Sequence, residues 1–331
     1  RAVVRTALYE GVKVFGIYDG YKGMIEDRIV ELNSQSVSDI IQRGGTFLGT
    51  ARCPEFKQEE TRKEALKILQ SHGIEGLVII GGDGSLRGAE EFERETGFSV
   101  IGIPATIEND IWGTDYAIGT DTAVNTILQA INEIRDTAKA HRRTFIIEVM
   151  GRDAGDIALW AGVAGGADVI LIPEIPYDIN KVVEAIQKRN KAGKRFTILA
   201  VAEGAISKED AELPKKKYKE KLAERAKKYP SVSYEIADQI QQVTGSEVRI
   251  TVPGHMQRGG EPCAYDRVLS TRIGAGAAQA IMDEEYGVMI GVINGKIKRV
   301  PLAECAGKLK MVSPKDQLVK AAKQIGISFG D

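Results

Sequence analysis

Aromatic side chains are scarce, 6% of the 331 residues with two tryptophans, and histidine and cysteine occur three times each. Cys53, Cys263 and Cys305 are an odd, widely spaced set without a CxxC pair, which excludes a disulfide framework and a zinc knuckle. A reducing, cytoplasmic setting is therefore expected. No sign of charge dominates: 45 Lys and Arg face 46 Asp and Glu, a net charge of −1. That balance supplies no broad field for counterion-release binding, so neither nucleic acid nor a membrane is expected as a partner. Long apolar runs are missing too; the longest unbroken stretch of apolar residues and glycine, Ile157 to Ala167, falls short of the about 20 residues that span a bilayer.

Glycine is the residue in surplus, 36 of 331 against a usual share of about 7%. Much of the backbone must therefore turn tightly or approach something closely. Short β-branched runs at Val12–Ile17, Gly76–Ile80, Val100–Ile103, Phe145–Val149, Val169–Pro173, Thr197–Ala202 and Val248–Val252 are apolar without alternation, as strands buried on both faces of a parallel sheet are. Between them Thr61–His72, Thr122–Ala140 and Asn180–Ala192 space apolar residues by three and four, which predicts amphipathic helices. The fold class is α/β, with a boundary between two lobes near Gly119. From Lys215 to Lys228 eight residues are Lys or Arg, bounded by Pro214 and Pro230, and this reads as a solvated basic helix.

Chemistry concentrates just past the predicted strands. Gly81-Gly82-Asp83-Gly84-Ser85 follows Gly76–Ile80 and opens a helical pattern, so backbone N–H groups can meet a phosphate while one carboxylate holds magnesium. A plain turn with Asp83 as helix cap is the competing reading. Pro104 to Asp110 follows Val100–Ile103 and brings Thr106, Glu108 and Asp110, a hydroxyl and two carboxylates, to the next strand end; phosphoryl transfer to an alcohol needs a carboxylate there, and a capped turn needs the same residue types. Two further loops, Met150 to Asp156 and Pro253 to Gly260, set Arg152 and Arg258 beside glycine, suited to a bidentate grip on phosphate or to local ion pairs; Arg52, Arg143 and Arg249 share that ambiguity.

These strings resemble bacterial-type, ATP-dependent 6-phosphofructokinases along almost the whole chain. The matching stretches are Gly16–Tyr21, Arg43–Arg52, Gly81–Ser85, Thr106–Asp110, Arg135–Thr137, Val149–Arg152 and Gly254–Gly260. The resemblance implies two doubly wound αβα lobes with mainly parallel sheets. Residues 1–118 plus about 258–305 would form a nucleotide-binding lobe and 119–257 plus about 306–331 a sugar-phosphate lobe, with 207–230 a basic helical insertion. It implies transfer of the ATP γ-phosphoryl group to the 1-hydroxyl of fructose 6-phosphate, with Mg2+, in a homotetramer with shared active sites.

Carried over residue by residue, Arg52, Cys53, Gly82, Asp83, Gly84 and Ser85 face ATP, with Asp83 on magnesium. Thr106, Ile107, Glu108, Met150, Gly151, Arg152, Glu203, His255, Met256, Gln257 and Arg258 hold the sugar phosphate. Arg143 and Arg249 reach it from a neighbouring subunit, and Glu108, Arg152 and Thr106 are catalytic. An effector, ADP or phosphoenolpyruvate, falls to Arg1, Arg5, Asp39, Arg135, Gly166, Asp168, Lys194 and Arg195. Departures from the family pattern are Glu108 and Ala105, where the family has aspartate and glycine, and Ser34, where arginine is common. Pyrophosphate-dependent relatives carry Asp and Lys where this chain has Gly84 and Ala105, which favours ATP. Family members begin with a strand and a glycine-rich turn that precede Arg1, so the expectation is a trimmed sequence. A non-catalytic regulatory relative with the same fold is the remaining alternative.

Overall fold

The computed structural model describes residues 1–141, 143–194 and 196–331. Its strands are β1 (Val14–Ile17), β2 (Ile29–Leu32), β3 (Gly76–Gly81), β4 (Ser99–Thr106), β5 (Ile118–Gly119), β6 (Thr144–Val149), β7 (Val169–Leu171), β8 (Thr197–Ala202), β9 (Val248–Thr251), β10 (Val288–Ile293) and β11 (Lys296–Pro301). The chain divides into two compact units, Arg1–Thr122 with Gly259–Lys310, and Ala123–Arg258 with Met311–Asp331.

In the first unit the sheet runs β11-β10-β4-β3, with β5 added to the end of β4. β3 and β4 are parallel from Gly76↔Ser99 to Gly81↔Pro104, so their carboxyl ends lie side by side. Alternate residues of β4 enter different cores. Val100 packs with Leu69, Leu86, Ala89 and Phe92 on one face, whereas Ile101 and Ile103 pack with Leu269, Ile273 and Ala277 on the other. Helices on both faces explain why this strand reads as an unbroken apolar run.

In the second unit the order is β7-β8-β6-β9, all parallel, with Thr144↔Thr197 and Thr144↔Val248 in register. Every residue of β6 and β8 is buried. Helices Ile179–Lys191 and Val232–Thr244 pack Val182, Ile186, Ile236 and Ile240 on one face. Helix Asp156–Ala164 lies so close to the other that a methyl on Gly162 would meet the Ile170 side chain at 2.7 Å and Ala200 Cβ at 3.2 Å. Both units are doubly wound αβα layers, the expected fold class.

One strand differs from expectation. Val12–Ile17 reads as part of a buried parallel sheet, but β1 forms a two-stranded antiparallel ribbon with β2, from Val14↔Leu32 to Ile17↔Ile29. A four-residue strand whose one buried position is Gly16, pressed against Leu32 and Leu48, has little apolar surface to offer a second face. The basic segment forms helix Lys215–Lys228, in which no residue is buried. Ionic contacts hold it: Lys221 and Arg225 both reach the buried carboxylate of Asp210, and Arg225 also reaches Glu235 at 2.5 Å. No helix among the described residues is long and apolar enough to cross a membrane.

Candidate active site

β3 ends at Gly81, Gly82 caps the next helix, and Asp83 is its first residue. At Gly81 the turn has no room for a larger residue: a methyl there would sit 2.6 Å from Ser85 Cβ. Gly84, by contrast, faces open space with nothing within 4 Å. Helix Asp83–Thr96 therefore presents its N-terminal N–H groups and partial positive charge beside a small, accessible backbone, the arrangement that receives phosphate. Tyr21 locks this end of the helix. Its hydroxyl donates to the Ser85 carbonyl at 2.6 Å and its ring stacks on Phe56 at 3.9 Å. Burial first, then the Glu91 charge, pushes its pKa far up, so it stays a donor.

Asp83 accepts the Gly307 N–H at 2.7 Å on one carboxylate oxygen and meets Arg87 Nε at 3.1 Å with the other. It is no side-chain cap; that place belongs to Gly82. Among the described residues no three carboxylate, imidazole or thiol groups cluster as a cation cage. A single carboxylate at a phosphate-receiving helix end fits magnesium's habit of taking one or two carboxylates, phosphate oxygens and water.

The neighbouring turn after β4 is built by side chains. The Glu108 N–H donates to Thr106 Oγ1 at 3.2 Å, and the Thr106 carbonyl accepts from Thr120 Oγ1 at 3.1 Å. Buried Asn109, at φ +51°, accepts the Ala117 N–H at 2.9 Å and donates to the Asp115 carbonyl at 3.2 Å. Thr106 Cβ lies 3.8 Å from where a Gly82 Cβ would stand, so the glycine turn and the Thr106-Ile107-Glu108 turn are adjacent. In the same unit Arg52 is exposed, while Cys53 is half-buried against the Phe56 and Phe92 core and burial raises its thiol pKa.

In the second unit the carboxyl ends of β6, β8 and β9 carry Met150-Gly151-Arg152, Glu203 and Pro253–Arg258. Gly151, at φ +132°, accepts the Gly204 N–H on its carbonyl at 3.1 Å, which draws the loops after β6 and β8 together. Buried Gln257 joins the loops after β6 and β9, accepting the Met150 N–H and donating to the Gly254 carbonyl, each at 3.0 Å. Its amide is spent on backbone. Arg152, Glu203, His255, Met256 and Arg258 are exposed around these fixed points. Met256, 71% exposed, is the most open of the large apolar residues there.

Arg143 and Arg249 lie at the opposite, amino edge of the same sheet. Glu247 pairs with both, Arg143 Nε at 2.6 Å and the Arg249 guanidinium at its other oxygen. The remaining predicted set is divided as well. Arg1, Arg5 and Asp39 belong to the first unit and are exposed. In the second, Arg135 donates to the carbonyls of Gly165 and Gly166, while Asp168 accepts the Ile198 N–H at 2.9 Å and pairs with Arg189 at 2.8 Å. Burial raises the Asp168 pKa against those opposing partners. Lys194 is exposed, and Arg195 lies outside the described residues. Sequence reasoning passed over Tyr21, Arg87, Glu174 and Glu247; of these only Tyr21 stood inside a recognised string.

Residues 1–281 match the family described as Phosphofructokinase. A protein from Macrococcus caseolyticus named ATP-dependent 6-phosphofructokinase is 48% identical over 299 residues, 90% of this chain and 86% of that protein. One of the same name from Staphylococcus epidermidis is 44% identical over 328 residues, covering 99% and 94%. Among solved structures, phosphofructokinase from Saccharomyces cerevisiae superimposes with a TM-score of 0.80 at 35% identity over 92% of this chain, which spans 42% of that longer one. The pyrophosphate-dependent phosphofructokinase of Marinobacter aquaeolei shares the fold, with a TM-score of 0.80 at 21% identity over 99% of this chain and 86% of that one. With its family match covering more than half its length and its curated relatives nearly all of it, the chain belongs to the phosphofructokinase family.

Proposed function

We propose that the protein transfers the γ-phosphoryl group of ATP to the 1-hydroxyl of fructose 6-phosphate, giving fructose 1,6-bisphosphate and ADP, a glycolytic step. The observation that carries this reading is the 44% to 48% identity, over 90% or more of the chain, to proteins named ATP-dependent 6-phosphofructokinase. The glycine turn at helix Asp83–Thr96 supports it. Gly82, Gly84 and Ser85 receive the nucleotide phosphates, Arg52 and Cys53 flank them, and the open space beside Gly84 accommodates the rest of the nucleotide. Pyrophosphate needs no such room.

Asp83 is the residue that would hold magnesium, and an ion bound there would neutralise phosphate charge. Glu108 accepts the proton of the 1-hydroxyl as that oxygen bonds to phosphorus and the bond to the ADP oxygen breaks. Thr106 orients the turn that carries Glu108. Arg152 balances the charge on the transferring group, and Met150, Gly151, Glu203, His255, Met256 and Arg258 grip the sugar phosphate, with Gln257 holding their loops. Arg143 and Arg249 serve the 6-phosphate bound to a neighbouring copy, hence a homotetramer with shared sites. Arg1, Arg5, Asp39, Arg135, Gly166, Asp168 and Lys194 form an effector site for ADP or phosphoenolpyruvate.

A coupled assay with fructose 6-phosphate and magnesium tests the reading. Turnover with ATP and not with pyrophosphate is expected; the reverse donor preference, or no turnover with either, overturns it.

A further inference from the structure

Glu174 lies three residues beyond β7 in the second unit and belongs to none of the groups given a role above. Its half-buried carboxylate accepts the Gly155 N–H on both oxygens, at 2.9 and 3.1 Å, and the Val312 N–H at 2.9 Å. Gly155 ends the loop that begins at Met150 and carries Arg152, and it caps helix Asp156–Ala164. A methyl on Gly155 would strike Ile172 and approach Glu174 Oε2 at 2.8 Å, so this approach is as close as glycine allows. At the loop's other end, a methyl on Gly151 would meet the Ala154 carbonyl at 2.5 Å. Val312 is buried and is the second residue of the chain's return into this unit.

The loop thus has two anchors of different kinds. Backbone bonds and Gln257 hold its start at Met150 and Gly151, while at its end the Gly155 N–H goes to a side chain that also grips the returning chain. The exposed Arg152 lies between them. Burial raises the Glu174 pKa and the amide donors lower it, as in a carboxylate retained for its acceptor geometry despite the cost of desolvation.

We infer that Glu174 is a positioning residue for phosphoryl transfer, setting where Arg152 stands by fixing Gly155 to Val312. The inference rests on the phosphofructokinase reading, and the wild-type assay tests that reading separately. A displacement of about 1 Å at a charge-balancing group costs about a hundredfold in rate. Glu174→Ala should therefore lower kcat about a hundredfold while the KM for ATP stays within twofold, because the ATP groups belong to the first unit. Glu174→Gln keeps a carbonyl oxygen for both amides and should restore kcat to within a few-fold. Amide hydrogen exchange should quicken across residues 151–157 in Glu174→Ala and stay unchanged across helix Asp83–Thr96.

Wild-type kcat in Glu174→Ala, equal damage in Glu174→Gln, or exchange rising throughout the chain overturns the inference. If Glu174→Ala does not fold, Glu174→Asp replaces it with the same expected split, being one methylene too short to reach both amides. Absence of turnover in the wild-type protein sinks the reading of the reaction instead, and exchange at residues 151–157 then decides the anchoring alone.

Discussion

Replacing Gly84 by aspartate separates the needs of the fold from those of the nucleotide. A β-carbon at Gly84 meets nothing within 4 Å, so the substitution neither overpacks nor strains the turn. Gly84 is the second residue of helix Asp83–Thr96, where a carboxylate faces the positive end of the helix and stabilises it by about 0.3 to 1 kcal/mol, in addition to the gain from removing glycine from a helix. Thermal stability should hold or rise. ATP binding should suffer, because a new negative charge about 4 Å from a phosphate oxygen is opposed by about 1 to 4 kcal/mol at effective dielectric constants between about 80 and 20. Since each 1.4 kcal/mol is tenfold, the KM for ATP should rise by about fivefold to several hundredfold. The assay is a coupled measurement of initial rate against ATP at saturating fructose 6-phosphate, with a thermal melt of the same preparation. An unchanged KM for ATP would refute the placement of nucleotide phosphates at this turn. A fall in melting temperature would refute the account of Gly84 as open space.

Glu108→Gln keeps the size of the side chain and removes its basicity; kcat should fall by about 10² to 10⁴, and retained turnover in the coupled assay would exclude Glu108 as the proton acceptor. Asp210→Asn removes the charge that holds helix Lys215–Lys228, at about 2 kcal/mol for hydrogen bonds to charged groups. Burial raises the Asp210 pKa, but Lys221 and Arg225 outweigh it and hold it below its ordinary value. Its contribution is therefore present above about pH 4 and lost as pH falls through the lower folded value. Melts of wild type and Asp210→Asn should differ at pH 7 and converge in acid; a gap constant with pH would contradict this. Mixing Arg143→Ala with Arg152→Ala after subunit exchange should restore about a quarter of wild-type activity, since hybrid pairs hold one intact shared site. No recovery, with exchange verified by mass, would place both arginines in the same copy's site.

The parts legible in sequence were those where burial leaves a one-dimensional trace. β4, β6 and β8 lie between helix layers and so read as unbroken apolar runs. The loops after β3 and β6 announced themselves by glycines that packing makes obligatory, Gly81 against Ser85 and Gly151 against Ala154. The hairpin of β10 and β11 carried a signal that went unread, Asn294-Gly295 between apolar strands, with both residues at positive φ. What sequence could not show is pairing at a distance. Glu174 meets Val312 across 138 positions and Tyr21 meets Ser85 across 64, and no local spacing encodes either. Asp83 in isolation read as either a metal ligand or a helix cap, and only the Gly82 cap separates the two.

The two edges of the β6 and β9 sheet bear on assembly. Arg152 follows the carboxyl end of β6, whereas Arg143 precedes its amino end and Arg249 sits beside Phe145 in register. Six extended residues span about 20 Å, longer than a hexose phosphate. Arginines at both edges of one sheet therefore cannot hold one sugar phosphate. In the structure Arg143 and Arg249 are instead held together by Glu247. If both sets serve the same substrate, the amino edge of one copy must face the carboxyl edge of another. The carboxylate of Glu247 holds the two guanidinium groups side by side, and on that condition catalytic competence would be a property of the assembly rather than of the chain.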